Sequence, residues 1–137
     1  MRGMKSSLLY VTFFLTLMVV GGSVHAQSKA SECAQPAAEQ KAIIREAEND
    51  RYTTRRVEFI GHRYTSDRVL RRRINIGLQE GDLFTRRNLI RSLQNVSKLK
   101  QIHAVNVRAV ELRLNRPDRT IDVTICFKEK ETRRRKR

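Results

Sequence analysis

Few residues in this 137-residue chain could do chemistry, and their spacing argues against most of it. His25 falls in the apolar N-terminal stretch. His62 and His103 stand in different segments, and neither has a cysteine or carboxylate at metal-ligand spacing. Both read as turn or surface residues. Ser66 and Thr85 precede helical patterns and fit as caps, with no base partner that would make either a nucleophile. Gly77 and Gly81 do not form a phosphate loop, because no strand runs directly into them and no Gly-Lys-Ser/Thr follows. Asp118 and Asp122 flank a turn and do not commend themselves as a paired-carboxylate site. No catalytic, metal or cofactor site is expected. Two cysteines are left, Cys33 and Cys126. In an oxidising compartment they can pair; otherwise they are two free thiols. A bridge would close a loop of roughly 90 residues, for which the chain-entropy model gives about 4–5 kcal/mol.

The compartment follows from the N-terminus. Arg2 and Lys5 precede an apolar run, Leu8 to Val20, and Val24-His25-Ala26 makes a small-residue exit. This is the layout of a secretory signal over residues 1–26, with cleavage expected after Ala26. The run is shorter than the roughly 20 residues that span a bilayer. The formal charge is +15, and removal of the leader takes two cations and no acid, leaving +13. Such a charge attracts anionic surfaces of any kind. An exported protein does not meet the genome, and aromatic residues for base stacking are few, so no nucleic-acid partner is expected.

The elements follow from periodicity. Residues 27–54 read as a linker with a short helix over Ala37 to Asp50, where Ala38, Ala42, Ile43 and Ala47 make a thin apolar stripe. The compact part starts at Arg55. Val57 to Ile60 is a short strand stopped by Gly61. Thr65 or Ser66 then caps a helix with Asp67 in its first turn. Val69, Leu70 and Ile74 pack, Arg73 sits at the border, and Arg71 and Arg72 point outward. Thr85 caps a second helix, whose Leu89, Leu93 and Val96 recur at one buried face. Val105 and Val107 alternate with polar residues, and the alternation shifts register at Ala109-Val110, which marks a bulge or the true start of a strand. Asn115 to Arg119 is a turn. Ile121, Val123, Ile125 and Phe127 give the cleanest period-two signal in the chain. If that row packs on the helices, Cys126 looks out from the uncovered face, over which Cys33 and the Ala37–Asp50 helix could fold. Glu129 onward reads as a solvated basic tail, with residues 131–137 placed outside the domain.

Strand, helix, helix, strand, strand is an α+β order, with two helices on one face of a three-stranded sheet. The stretch from Val57 to Leu99 resembles the first half of a polypeptide-transport-associated (POTRA) domain. Phe59-Ile60-Gly61-His62, Val69-Leu70-Arg71-Arg72 and Glu80-Gly81-Asp82 carry the resemblance, and Val110 to Lys130 matches its closing hairpin. His62 stands where Asn is usual, and Lys100-Gln101-Ile102 replaces a Gly and an aromatic. The likeness covers residues 55–130 and implies a mixed sheet. POTRA domains usually precede an outer-membrane barrel, and the expectation here is a free-standing module of the periplasm, associated with the outer membrane. The resemblance also implies binding by strand addition beside the second strand, at Val110, Glu111, Leu112, Arg113 and Leu114. The partners implied are proteins: outer-membrane assembly or secretion components, or their unfolded clients. Arg71, Arg72 and Arg108 form a charged surface that would bias the choice toward acidic partners. The alternative is a basic envelope protein that binds anionic lipid or polymer.

Overall fold

The computed structural model describes Cys33, residues 35–74 and residues 77–131. The leader expected over residues 1–26 and the arginine-rich residues 132–137 lie outside the described residues. The elements are α1 (Ala37–Asn49), β1 (Thr53–Ile60), α2 (Asp67–Arg73), α3 (Arg86–Ser97), a single 3-10 turn (Val107–Ala109), β2 (Val110–Asn115) and β3 (Thr120–Cys126). The strands form one mixed sheet in the order β1-β3-β2. β3 lies in the middle, parallel to β1 and antiparallel to β2. Helices α2 and α3 pack on one face, so the fold is the α+β arrangement expected of a POTRA domain.

The central strand explains the core. Ile121, Val123 and Ile125 are fully buried, and their odd positions all face the helices. Across the ladder Leu112 pairs with Val123 and Val110 with Ile125, so the same face continues onto β2. α3 answers from above with Leu89, Leu93 and Val96, one stripe at helical spacing. The Thr85 hydroxyl accepts the Asn88 N–H at 3.1 Å and starts that helix. α2 is only seven residues long and buries Leu70 alone; Ile74 follows it into the core, while Val69 stays 37 % exposed. Two turns of helix have one inward face, and Leu70 takes it.

Four expectations change. β1 begins at Thr53, four residues before Val57. Its register against β3 slips between Thr54 and Arg56, which leaves Arg55 and Arg56 both exposed between the buried Thr54 and Val57. A bulge of this kind breaks the alternation by which a strand is recognised. Second, residues 105–109 are not a strand. The Val105 N–H goes to the Ser97 hydroxyl at 2.8 Å, and the Asn106 side chain caps the short turn at Arg108 N, 3.0 Å. β2 therefore starts at Val110, where the alternation resumes. Third, α1 does not lie over the open face. Ala38 and Ala42 are exposed, and the buried residues are Gln40, Ile44 and Ala47. Ile44 and Ala47 join the core on the covered side. Fourth, Glu129 is not a free tail residue. His103 N donates to Lys128 O at 3.0 Å and Lys130 N to Gln101 O at 2.7 Å, bridging Ile102 to Glu129.

Candidate functional site

A three-stranded sheet has two outer margins, and both matter for a protein expected to bind by strand addition. On β2 the peptide groups can be assigned from the geometry. Both groups of one residue in an antiparallel strand face the same neighbour, and the direction alternates. Leu112 directs both of its groups away from β3, to the side chain of Gln35: its N–H donates to Oε1 at 2.9 Å, and its carbonyl accepts from Nε2 at 3.0 Å. Val110, Leu112 and Leu114 therefore face outward, and Glu111 and Arg113 bond to β3. The Val110 carbonyl accepts from Gln40 Nε2 at 2.7 Å, and the same amide reaches Val107 O at 2.6 Å. The outward groups of Leu114 have no partner among the described residues.

The side chains of this strand divide by face. Val110 and Leu112 are buried in the core. Leu114 packs partly against it. Glu111 and Arg113 stand on the open face, 2.6 Å apart as an ion pair. The rest of that face is charged too. Arg56 pairs with Glu58 at 2.7 Å, and Arg55 pairs with Asp122 through two bonds. The Arg55 guanidinium holds the Asp122 carboxyl below its ordinary range. A face this well paired reads as solvated surface.

The outer margin of β1 is closed differently. Thr54 N donates to Asp82 O at 2.8 Å, Gly81 N to Thr54 O at 2.7 Å and Phe84 N to Tyr52 O at 2.9 Å. Leu83 forms a bridge with Thr53. Further along, Arg71 Nη2 donates to Val57 O at 3.2 Å while its guanidinium lies 5.8 Å from the Phe59 ring centroid. Arg71 also pairs with Asp67 at 2.6 Å. It is thus tied into the strand rather than held out as a free surface charge. Arg72 is exposed without an ion-pair partner among the described residues, and so is Arg108 in the 3-10 turn.

Cys33 and Cys126 form a disulfide, with Cα atoms 6.1 Å apart. Both line an open cleft of about 390 Å³ at the end of β3, together with Gly61, His103, Arg108 and Lys128. Among the described residues no group of three or more His, Cys, Asp or Glu could hold a metal ion.

Three residues escaped the sequence reading. Gln35 and Gln40 close the β2 margin, and a glutamine at a helix start has no signature for that role. Glu129 accepts the N–H groups of Arg63, Tyr64 and Thr65, each at 2.7 Å, and so fastens the β1–α2 loop to the end of β3. Desolvation pushes its carboxyl up, but the hydrogen bonds it receives at Arg63, Tyr64 and Thr65 reverse this and bring its pKa down to about 2.

Several known proteins resemble this chain. Three solved structures align with it: POTRA domains 3–5 of BamA from Haemophilus influenzae, with 19% identity over 57% of this chain and 29% of that one and a TM-score of 0.48; the N-terminal domain of Omp85 from Thermosynechococcus elongatus, with 18% identity over 59% and 35% and a TM-score of 0.45; and POTRA domains 1–3 of the periplasmic domain of Omp85 from Anabaena, with 19% identity over 58% and 34% and a TM-score of 0.46. The chain spans about a third of the length of each. No curated protein matches it. The POTRA family model, described as a surface antigen variable number repeat, matches residues 52–130. That stretch takes in β1, α2, α3, β2 and β3 and leaves out α1 and Cys33, and on it the chain belongs to the POTRA family.

Proposed function

We propose that this chain is a non-catalytic protein-binding module of the periplasm that takes an extended polypeptide segment as an added strand along β2. The segment would come from outer-membrane assembly or secretion machinery or from an unfolded outer-membrane client. One observation carries the reading. Leu112 turns its N–H and C=O away from the sheet, and they meet a planar amide in the geometry a neighbouring strand would use. Export by the leader expected over residues 1–26 would put the module where such segments occur.

The test is photo-crosslinking in cells from position 113, whose side chain is 78 % exposed, rather than from the buried Leu112. It is run in parallel in Leu114→Pro, which removes an outward N–H and leaves the β2–β3 ladder intact. The expected result is an adduct in the parent that is lost in the folded proline variant. An equal yield in both, with matching circular dichroism, sinks strand addition.

A second reading has an observation of its own. Arg68, Arg72 and Arg73 on α2 and Arg86, Arg87 and Arg91 on α3 are exposed, and their guanidinium groups have no ion-pair partner among the described residues, although the Arg86 main-chain N–H donates to Glu48 Oε1 at 2.7 Å. Such a surface suits anionic lipid or polymer. Binding of that kind to phosphatidylglycerol vesicles would vanish at several hundred millimolar salt, whereas strand addition would survive.

A further inference from the structure

The β2 margin already has an occupant, and it belongs to the same polypeptide. The Gln35 carboxamide makes with Leu112 the pair of bonds that one residue of an antiparallel strand makes with another. Gln40, 5 % exposed, takes the carbonyls of Val110 and Val107. Of the outward residues only Leu114 is left open. A strand paired from Leu114 to Leu112 would have to displace Gln35, and one that reached Val110 would have to displace Gln40 as well.

The occupant is held from two sides. Downstream, α1 is fixed by Ile44 and Ala47 in the core and by the Glu46 carboxylate, which Arg116 grips at 2.8 and 3.0 Å. Upstream, Cys33 is bonded to Cys126 on the open face of β3. The chain therefore passes from the open face, around the β2 margin at Gln35, to α1 on the covered side. The disulfide works as a strap across that turn. With the strap intact, the amide is a tethered competitor whose effective concentration an incoming strand must overcome. Without it, Gln35 is held through Pro36, through a first helical turn whose Ala37, Ala38 and Glu39 are exposed, and by a bond from its Nε2 to Glu39 Oε1 at 3.2 Å. Its two hydrogen bonds are then worth about 1–3 kcal/mol in all, less than several residues of main-chain pairing. Cys33, Gln35 and α1 all lie outside residues 52–130, so this occupant is added to the family domain, to which the strap ties it at Cys126.

The bond borders open space on one side: Cys33 is 7 % exposed and Cys126 half-buried, and both line the open 390 Å³ cleft, whose other groups include Arg108 and Lys128. Cationic neighbours favour thiolate at an attacked or departing sulfur.

Building on the reading of β2 as a capture edge, we propose that the segment Cys33–Gln40 is a built-in occupant of that edge, and that thiol–disulfide exchange at Cys33–Cys126 releases it. The co-reactant is a dithiol. Its thiolate attacks one cysteine sulfur, and the other cysteine leaves as thiolate and takes up a proton. The second thiol of the dithiol, deprotonated, then attacks the mixed disulfide and expels the remaining cysteine, which is protonated in turn. Two electrons pass to the protein, which ends with two thiols, and the dithiol ends as its disulfide.

The test compares the oxidised full chain, the dithiothreitol-reduced and alkylated chain, and Gln35→Leu with the disulfide intact. One readout is hydrogen exchange at the Leu112 amide. The other is binding of a fluorescein-labelled extended peptide of alternating valine and threonine, about eight residues long. Reduction should speed Leu112 exchange and tighten peptide binding about tenfold, with the β3 amides still protected. Gln35→Leu should do the same without reductant, which keeps the test decisive if the reduced chain unfolds. Unchanged Leu112 protection in both altered forms overturns the gate. Equal peptide binding by all three forms overturns the gate and leaves the capture edge standing. An open Leu112 amide with no peptide bound by any form overturns the capture reading, and the gate with it.

Discussion

β1 and β2 are both outer strands of the same three-stranded sheet, and on each some of the outward groups are met from within the chain. At β1 the partner is main chain: residues 81–84, in the connection from α2 to α3, bond to Tyr52 and Thr54. At β2 the partners are two glutamine side chains on a segment that itself lies outside the family domain. Main-chain closure cannot be undone without unfolding the loop that supplies it. Side-chain closure can be undone one rotamer at a time. Edge strands are templates for association unless they are covered, and the manner of covering decides whether they can be uncovered again. The permanent closure is at β1 and the reversible one at β2.

The largest effect should come from the β1 side. Gly61 ends β1 at φ +97°, and a Cβ there would run into the Phe127 carbonyl, which is backbone and cannot step aside. Gly61→Ala combines a left-handed strain with that collision where β1 meets the end of β3. A loss of about 3 kcal/mol of global stability is expected, read from the shift of the urea midpoint at constant m. A shift under about 0.5 kcal/mol would mean that the β1 end can relax, and the contrast between the two margins would weaken.

Next comes the β2 side. Gln40→Leu keeps the helix and the volume but strips the Val107 and Val110 carbonyls of their amide. Val107 O keeps the Val110 N–H, so one carbonyl, that of Val110, is left unmet, which should cost about 1–2 kcal/mol. The sharper expectation is spatial. Exchange should quicken at Leu112 and the first turn of α1, while residues 81–84 and β3 keep their protection. If the whole sheet exchanges faster together, the β2 closure is as integral as that of β1.

The same contrast explains what was legible beforehand. Patterns that repeat were readable: the alternation of Ile121, Val123 and Ile125, the stripe Leu89, Leu93, Val96, and the Thr85 cap. They suffice for the fold because each depends on burial along one element. The bulge at Arg55 hid the first half of β1, since one extra residue turns alternation into noise. Gln35, Gln40 and Glu129 act through single side-chain bonds to distant backbone, at sequence separations of 64 to 77. No local period encodes such bonds, and a glutamine on a helix is ordinary composition. The buried stripe of α1 was misplaced for that reason: it centres on a polar residue whose burial only the strand beside it explains. The pairing of Cys33 with Cys126 was legible as one of two options, because strand parity places Cys126 on the open face but says nothing of where Cys33 comes to rest.

The smallest effect belongs to Glu129, and it tests whether the β1 side is tied by more than the ladder. The carboxylate gathers three successive amides of the loop that follows β1, and its folded pKa of about 2 lies below the usual 4.5. A depressed carboxylate contributes stability that is fully present above the unfolded value and is lost as pH falls through the folded one. The wild-type chain should therefore lose this contribution between about pH 4.5 and pH 2. Glu129→Gln should lack that component of the acid loss and be weaker at neutral pH by about 1–2 kcal/mol, since a neutral amide oxygen accepts the same N–H groups less strongly. The difference in unfolding free energy between the two proteins should be level above pH 5 and shrink below it. Because the loop belongs to the β1 end, Leu112 exchange should be the same in both proteins at neutral pH. A Glu129→Gln variant that frees Leu112 would show the two margins to be one cooperative unit, and the division between a fixed edge and an openable one would have to be given up.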